Sequence, residues 1–423
     1  MIKVLSCNNK NYKKNLINFL DKRRQIEGDN TIKVSKILSD IKKHKLKAVL
    51  KYEIKFSKNR QIKLTKKIIQ KCLKKINPSV KKAIDFSYNR ITKFHIKQIK
   101  ELKNLNYRDN YNNKLEYKYV PIESVGFYVP GNLPSTLLMN TIPAKLAKVK
   151  RLVLATPKIN GNYNPAIFYA AKKVGIKEIY SMGGAQAIAS LAYIQKVNKI
   201  IGPGNKFVAE AKRQLSGKFV GTETMFAGAS EICVLADKYT NINQIATSLV
   251  SQAEHDPDSQ CILISKDKKI IKKVKIQINK ILKNLPRKTI AKKSLIKNGL
   301  IIKATNDKQI VDIINEIAPE HLELNVKNFN KYSKKIFNAG SICNGKYTPM
   351  SLSDYTVGTN HVLPTSGSAK FSSGLNINEF IKKISIVTLT KLGVEKIANH
   401  AITLSEFEQL NGHTQSIKSR MRR

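Results

Sequence analysis

The sequence predicts an α/β fold: two doubly wound, incomplete Rossmann-like parallel sheets with helical N- and C-terminal extensions. Three observations lead there. From Val125 onward, short apolar runs alternate with amphipathic stretches. That rhythm breaks near Gly228 and then restarts. At 423 residues the chain is too long for one compact core. Strand–helix alternation of this kind builds parallel sheets through right-handed crossovers.

The elements follow in order. Residues 1 to about 120 read as mostly helical and highly charged, with Val34, Ile37, Leu38, Ile41, Ala48, Val49 and Tyr52 at helical spacings. RLVLATP reads as a buried strand, and NPAIFYAAKKVG as a short helix capped by Asn164 and stopped by Gly175. KEIYSMG, GAQAIASLAY, KIIGPGN and KFVAEAKRQL continue the alternation. After Gly228 come the strand EICVLAD, the helix NINQIATSLVSQAEHD and the strand QCILISK. A lysine-rich helix, the strand GLIIKAT and the helix DKQIVDIINEIA follow. The stretch from Asn338 to Leu375, rich in Gly, Ser, Thr and Pro, is too long for an idle connection. From about Glu379 the pattern is helical again.

Composition narrows the class. No apolar run approaches the ~18 residues of a membrane span, and MIKVLSCNNKNYKKN lacks a signal-peptide core. Cys7, Cys72, Cys233, Cys261 and Cys343 are odd in number with no CxxC pair, as expected of a reduced, cytoplasmic chain. The net charge is +48, from 77 Lys+Arg against 29 Asp+Glu. These lysines spread along the whole length without interleaved aromatics, so nucleic-acid contact is expected only as adventitious sticking.

The chemistry-bearing residues begin with SQAEHDPDSQ. Ile242, Ile245, Ala246, Leu249, Val250 and Ala253 form one apolar helical stripe. Gln252 and His255 lie beside it, about 60° apart on the wheel, and Asp256-Pro257 ends the helix. They fit either a solvated helix end or half of a metal site. Pro319 breaks a helix and presents Glu320-His321, which suits proton transfer or simply a helix C-terminus. His361 and the sole loop carboxylate, Asp354, share SDYTVGTNHVLPTSG, and His413 follows Glu408 in EFEQLNGH. Gln, His, Asp and His together offer donors suited to zinc or a similar ion, though spacing alone does not assemble them. His44 reads as solvated, His95 and His400 as structural. GFYVPGN, SMGGAQA and IGPGNKF sit where strands feed helices, as tight turns or ligand loops; none is GxGxxG.

Taken together these residues resemble the histidinol dehydrogenase family. The ordered blocks are ESVGFYVPGN, PSTLLMNTIPAKLAKV, GGAQAIA, GPGNKFVAEAKRQL, AGASEICVLAD, SQAEHDPDSQ, APEHLEL, DYTVGTNHVLPTSG, FSSGL and EQLNGH. The resemblance implies oxidation of L-histidinol to L-histidine via the aldehyde with two NAD+, using one zinc per subunit. It implies zinc ligands Gln252, His255, Asp354 and His413, the last from the other subunit of a homodimer with exchanged C-terminal tails. Glu320 and His321 would be the acid–base pair. Ser230 and Glu408 would join His321 and the zinc ligands in contacting substrate. Tyr128, Gln186 and Asn205 would line the NAD site.

The expected architecture inserts one unit in the other. Residues 1–25 form an N-terminal helical extension. Residues 26–125 and 232–376 form a first α/β domain carrying most zinc and acid–base residues. Residues 126–231 form a second α/β domain with the glycine loops for NAD, and 377–423 a helical tail that swaps in the dimer. Departures from the family pattern are a shortened PGNLPST loop, Thr224, Phe226 and Ala229 before Ser230, Ser353 before Asp354, and Thr359 before Asn360. The competing readings are a relative oxidising another hydroxymethyl substrate, a zinc hydrolase without NAD, and a polyanion-binding protein without activity.

Overall fold

The computed structural model describes residues 2–22, 28–224 and 228–421. The chain opens with β1 (Lys3–Ser6), α1 (Tyr12–Asp21), α2 (Gly28–Ser57), α3 (Lys66–Leu73), α4 (Pro78–Lys100), β2 (Asn106–Arg108) and β3 (Lys114–Pro121). Helix α2 is broken at Lys45, which adopts φ 50° and ψ −132°. The expected helices are present, but β1 is a strand in what was read as a helical extension. Four residues with mixed exposure carry too little periodicity to announce it.

The five-stranded unit comprises β4 (Ser124–Tyr128), α5 (Pro134–Leu146), β5 (Arg151–Ala155), α6 (Pro165–Val174), β6 (Glu178–Tyr180), α7 (Gly184–Tyr193), β7 (Lys199–Ile201), α8 (Lys206–Leu215) and β8 (Gly221–Thr222). Its order is β6-β5-β4-β7-β8, all parallel. Local chemistry sets the ends: Asn164 Oδ1 accepts from Ala166 N–H, and Gly175 closes α6 in the left-handed region at φ 98°.

The six-stranded unit follows with β9 (Glu231–Ala236), α9 (Ile242–Ala253), β10 (Gln260–Ser265), α10 (Lys268–Asn284), α11 (Lys288–Lys297), β11 (Gly299–Lys303), α12 (Asp307–Ile317), β12 (His321–Asn325), α13 (Asn330–Ser333), β13 (Ser341–Asn344) and α14 (Met350–Ser353). Its order, β1-β11-β10-β9-β12-β13, is parallel throughout and recruits β1 to one edge. Two hydrophobic clusters flank each sheet, so both faces are covered and the strands read as continuous apolar runs.

Residues 26–125 were expected to belong with 232–376. Helix α2 packs on α7 and α8, α3 on α6, and α4 on α5 and α6, beside the five-stranded sheet. The tail is corrected: it opens with β14 (Ile381–Thr388), antiparallel to β3 in a β14-β3-β2 sheet. Helices α15 (Lys391–Phe407) and α16 (Asn411–Met421) complete the chain. The loop 338–375 is largely irregular, with β13 and α14 as short inclusions.

A buried ion pair ties two loops of the five-stranded unit together. Lys212 Nζ lies 2.5 Å from Glu223 Oε1, with both side chains under one-tenth exposed, and also donates to the Gly202 carbonyl. Gly202 sits at φ +124°, where an added Cβ would stand 2.0 Å from the Tyr128 carbonyl oxygen. Lys212→Met would strand the Glu223 carboxylate, so a loss of about 3–5 kcal/mol is expected, measured by urea unfolding. The double variant Lys212→Met/Glu223→Gln should recover much of it; equal losses in both would show that charge pairing is not the source.

Candidate functional site

The amino ends of the six-stranded sheet collect most of the expected site residues. Ser230, half-buried, directly precedes β9. Gln252 lies in the last turn of α9, with His255 in the turn after it. Ala318, in the left-handed region at φ 47°, stops α12 so that Glu320 and His321 lead into β12. Asp354 caps the C-terminus of α14, and α14 packs on both α9 and β12. Gln252, His255, Glu320, His321 and Asp354 are thereby brought to one edge from three separate segments.

Within this cluster His321 Nε2 stands 3.7 Å from Asp354 Oδ1 and 4.0 Å from Glu320 Oε1. Glu320 Oε2 accepts from Glu231 N–H at 2.7 Å, which fixes the carboxylate against β9. Burial, reinforced by His361 and His255, pulls the His321 pKa down to about 3, so its imidazole is neutral at pH 7. His255 is open to solvent at its edge, yet the surrounding side chains desolvate it enough to lower its pKa. Burial and then the Glu323 charge push Asp354 up to about 7.

Several buried atoms here have no protein hydrogen bond: both amide atoms of Gln252, Asp354 Oδ1 and His321 Nδ1. Buried polar atoms without partners are costly. An amide oxygen, a carboxylate oxygen and a neutral imidazole are hard-to-borderline donors that fit zinc, and a cation beside Asp354 would offset its burial. Among the described residues no three His, Cys, Asp or Glu side chains gather as a metal site. Of the four expected ligands, one chain brings Gln252, His255 and Asp354 to this edge. Glu408 and His413 do not join them: both are exposed, at the junction of α15 and α16, which pack on each other.

The three remaining residues lie at the carboxyl ends of the five-stranded sheet. Tyr128 ends β4, and its hydroxyl oxygen accepts from Gly184 N–H at 3.3 Å. Gln186 is buried in the first turn of α7 and donates from Nε2 to Glu53 Oε1 at 2.8 Å. Asn205, exposed, caps α8 by accepting from Phe207 and Val208 N–H. The loop 354–367 spans the two units. His361 Nδ1 donates to the Asp354 carbonyl at 2.6 Å, and Thr136 Oγ1 of α5 contacts His361 Nε2 at 3.2 Å. Asn360 Nδ2 donates to the Met139 carbonyl at 2.7 Å.

Other histidines resolve simply. His95 is buried against Gln98, whereas His44, bonded to Asp40, and His400 are exposed. Of the departures, Thr224 Oγ1 donates to Glu379 Oε1, and Phe226 lies outside the described residues. Sequence reasoning did not assign His361, Glu323 or Glu53. The first had a visible signal, a histidine in a Gly/Ser/Thr-rich loop. Glu323 and Glu53 looked like ordinary charges in a strand and a charged helix.

An acid beside a buried neutral imidazole, an incomplete set of metal donors and a facing edge of glycine loops characterise a metal-dependent dehydrogenase working with a dinucleotide. Comparisons make the class specific. Residues 21–421 match the family model for histidinol dehydrogenase. The chain is 52% identical over 430 residues to the histidinol dehydrogenase of Pelagibacter ubique (strain HTCC1062), covering 100% of both. It is 48% identical over 307 residues to that of Listeria monocytogenes serovar 1/2a, covering 71% of each. The crystal structure of histidinol dehydrogenase from Elizabethkingia anophelis superposes with TM-score 0.91 at 35% identity, covering 99% of this chain and 98% of that one. The chain belongs to the histidinol dehydrogenase family, and it is a zinc- and NAD-dependent oxidoreductase of histidine biosynthesis.

Glu323 holds this edge together from behind. Its Oε1 accepts from Met350 N–H at 2.7 Å, and Ser248 also donates to the carboxylate, so one side chain pins α14 to α9. Glu323→Ala should weaken zinc retention by roughly 10- to 100-fold, as outer partners of metal sites do. Metal analysis after dialysis against graded chelator checks this; parental retention would remove Glu323 from the metal site's support.

Proposed function

We propose that Gln252, His255 and Asp354 of one chain hold the zinc together with His413 from a second copy, and that Glu320 and His321 carry the proton transfers. The unpartnered amide of Gln252 is the observation that carries the reading: burying both its polar atoms makes sense once a ligand takes the oxygen. Ser230, His321 and the zinc ligands contact the L-histidinol substrate, joined by Glu408 from the second copy. Tyr128, Gln186 and Asn205 line the NAD site. The domain roles follow, with the six-stranded unit carrying metal and acid–base residues and the five-stranded unit carrying the cofactor loops.

A homodimer with exchanged tails is the assembly we favour. The tail leaves Val387, Leu404 and Phe407 more than three-fifths exposed, a large apolar surface for a lone chain. His413 and Glu408 sit on that tail, away from a site lacking their chemistry. Cytoplasmic residence is proposed on the five buried free thiols; no helix among the described residues is long and apolar enough to cross a membrane.

The reaction runs in two oxidations through the aldehyde, with two NAD+ in sequence. Zinc held by Gln252, His255, Asp354 and the second copy's His413 would anchor and orient the substrate, and NAD+ would supply the hydride acceptor. His321, neutral in its buried setting, takes the hydroxyl proton as the carbinol carbon is oxidised. Glu320, fixed by the Glu231 N–H, takes a proton from the water that adds to the aldehyde carbon. His321 returns its first proton to the aldehyde oxygen as the hydrate forms, and, neutral again, accepts a hydroxyl proton of that hydrate for the second oxidation. Burial of both groups keeps bulk water from competing for these protons.

His321→Ala should lower kcat by ~10²–10⁴ with zinc content intact, and Glu320→Gln should slow oxidation of the aldehyde more than that of histidinol. NADH formation from each substrate separates the two roles, and parental turnover in His321→Ala would end the assignment. The shared site has its own test. His321→Ala and His413→Asn subunits should each be nearly inactive alone. Co-expressed, they should recover roughly a quarter of parental activity, because half of a random dimer population carries one complete site. No recovery in isolated hybrid dimers would exclude a site built across the two copies.

A further inference from the structure

Open parallel sheets commonly bind a cofactor's phosphates at helix N-termini, where free backbone N–H groups and the helix dipole favour an anion. At α7 and α8 of this chain, backbone N–H groups of that kind already meet side chains of the protein. The Gly183 and Gly184 N–H groups at the start of α7 donate to Glu53 Oε1 at 2.8 Å and to the Tyr128 hydroxyl at 3.3 Å. The first free N–H groups of α8 donate to Asn205 Oδ1 at 3.1 and 3.2 Å. The anion at α7 is a carboxylate of the protein itself, delivered from α2 and 1% exposed.

Glu53 does more than cap a helix. The same Oε1 accepts from Gln186 Nε2 at 2.8 Å. A carboxylate oxygen that already accepts a backbone N–H admits only the amide's NH2 side, so the Gln186 flip is dictated. The carbonyl Oε1 is then the atom of Gln186 left for a ligand, lying over Gly184, 2.9 Å from where a side-chain carbon there would stand. Gly184, at φ +60°, carries no such carbon. Glu53 itself is secured: burial pushes its carboxyl up, and hydrogen bonds from Gly183, Gln186, Asn59 and Ser57 pull it back. Asn59 in turn donates to the Ser181 carbonyl at 2.7 Å, locking the end of α2 to the loop that carries Gly183.

We infer that Glu53 is a positioning residue of the cofactor site: it fills the N-terminus of α7 in place of a phosphate and turns Gln186 so that its carbonyl meets a hydrogen-bond donor of the dinucleotide. The inference rests on the reading that Gln186 lines the NAD site. It has two consequences. The cofactor's phosphates lie away from α7, because a second anion there would face the Glu53 carboxylate. Affinity for the cofactor depends on a side chain that never touches it.

The test uses the zinc-loaded enzyme at saturating histidinol. Glu53→Ala frees Gln186 to rotate, and Glu53→Asp withdraws the carboxylate by one methylene. Both should raise KM for NAD about tenfold, with kcat, KM for histidinol and zinc content within about twofold of the parent. Glu53→Gln, which keeps an oxygen facing the same two donors, should restore most of the cofactor affinity lost in Glu53→Ala. Inorganic pyrophosphate should inhibit Glu53→Ala more strongly than the parent, because the helix end is then open. The inference is overturned if folded Glu53→Ala, or Glu53→Asp should the first not fold, keeps the parental KM for NAD while Gln186→Ala raises it. If Gln186→Ala also leaves KM for NAD unchanged, the placement of Gln186 in the cofactor site fails and the inference falls with it.

Discussion

Burying the Gln252 amide beside the Asp354 carboxyl, with no protein partner for either amide atom, is the constraint on which the rest of this structure depends. Each unsatisfied atom costs on the order of 1–3 kcal/mol. A fold carries that cost only where a ligand removes it. Around it the chain arranges what a divalent ion needs: a neutral imidazole at His255, a carboxylate at Asp354, and Glu323 behind them clamping α14 onto α9. The depressed His321 pKa follows from the same dryness. On the proposed assignment, the same exclusion of solvent would favour the metal and keep His321 neutral.

The two sheets contribute opposite edges. The cofactor loops follow the carboxyl ends of β4, β6 and β7, as expected for a doubly wound sheet. Of the residues proposed for metal and proton transfer, Gln252 and His255 precede β10, Glu320 and His321 lead into β12, and Asp354 follows α14, at the amino ends of the other sheet. Between them the loop 354–367 acts as a strut, with His361 joined to Asp354 on one side and Thr136 on the other. On the proposed assignment, hydride acceptor and base come from different units, each held by its own pair of hydrophobic clusters.

Much of this was legible in the sequence, for identifiable reasons. Fully buried strands such as EICVLAD and QCILIS announce themselves as apolar runs, and caps such as Asn164 and Gly175 mark helix ends. The Gln252 and His255 pair fitted a solvated helix end as well as a metal site, and only the ordered blocks of the family resemblance chose between them. What stayed hidden was set by long-range pairing. β1 exists because β11 offers it an edge, and β14 because β3 does. Helices α2 to α4 read as amphipathic, but their pattern does not say which sheet they cover. Glu53 and Glu323 gave no local sign either, since a buried carboxylate is recognisable only from the N–H groups that meet it.

The pairing of β1 with β11 has a consequence for biogenesis. Lys3–Ser6 is made about 300 residues before its partner Leu300–Lys303. By then 124–222 can already have folded as a unit on its own contacts, while the nascent strand waits with one edge exposed. At four residues, with Lys3 at its start, the strand offers little for wrong partners to grip, and that brevity protects the chain during translation.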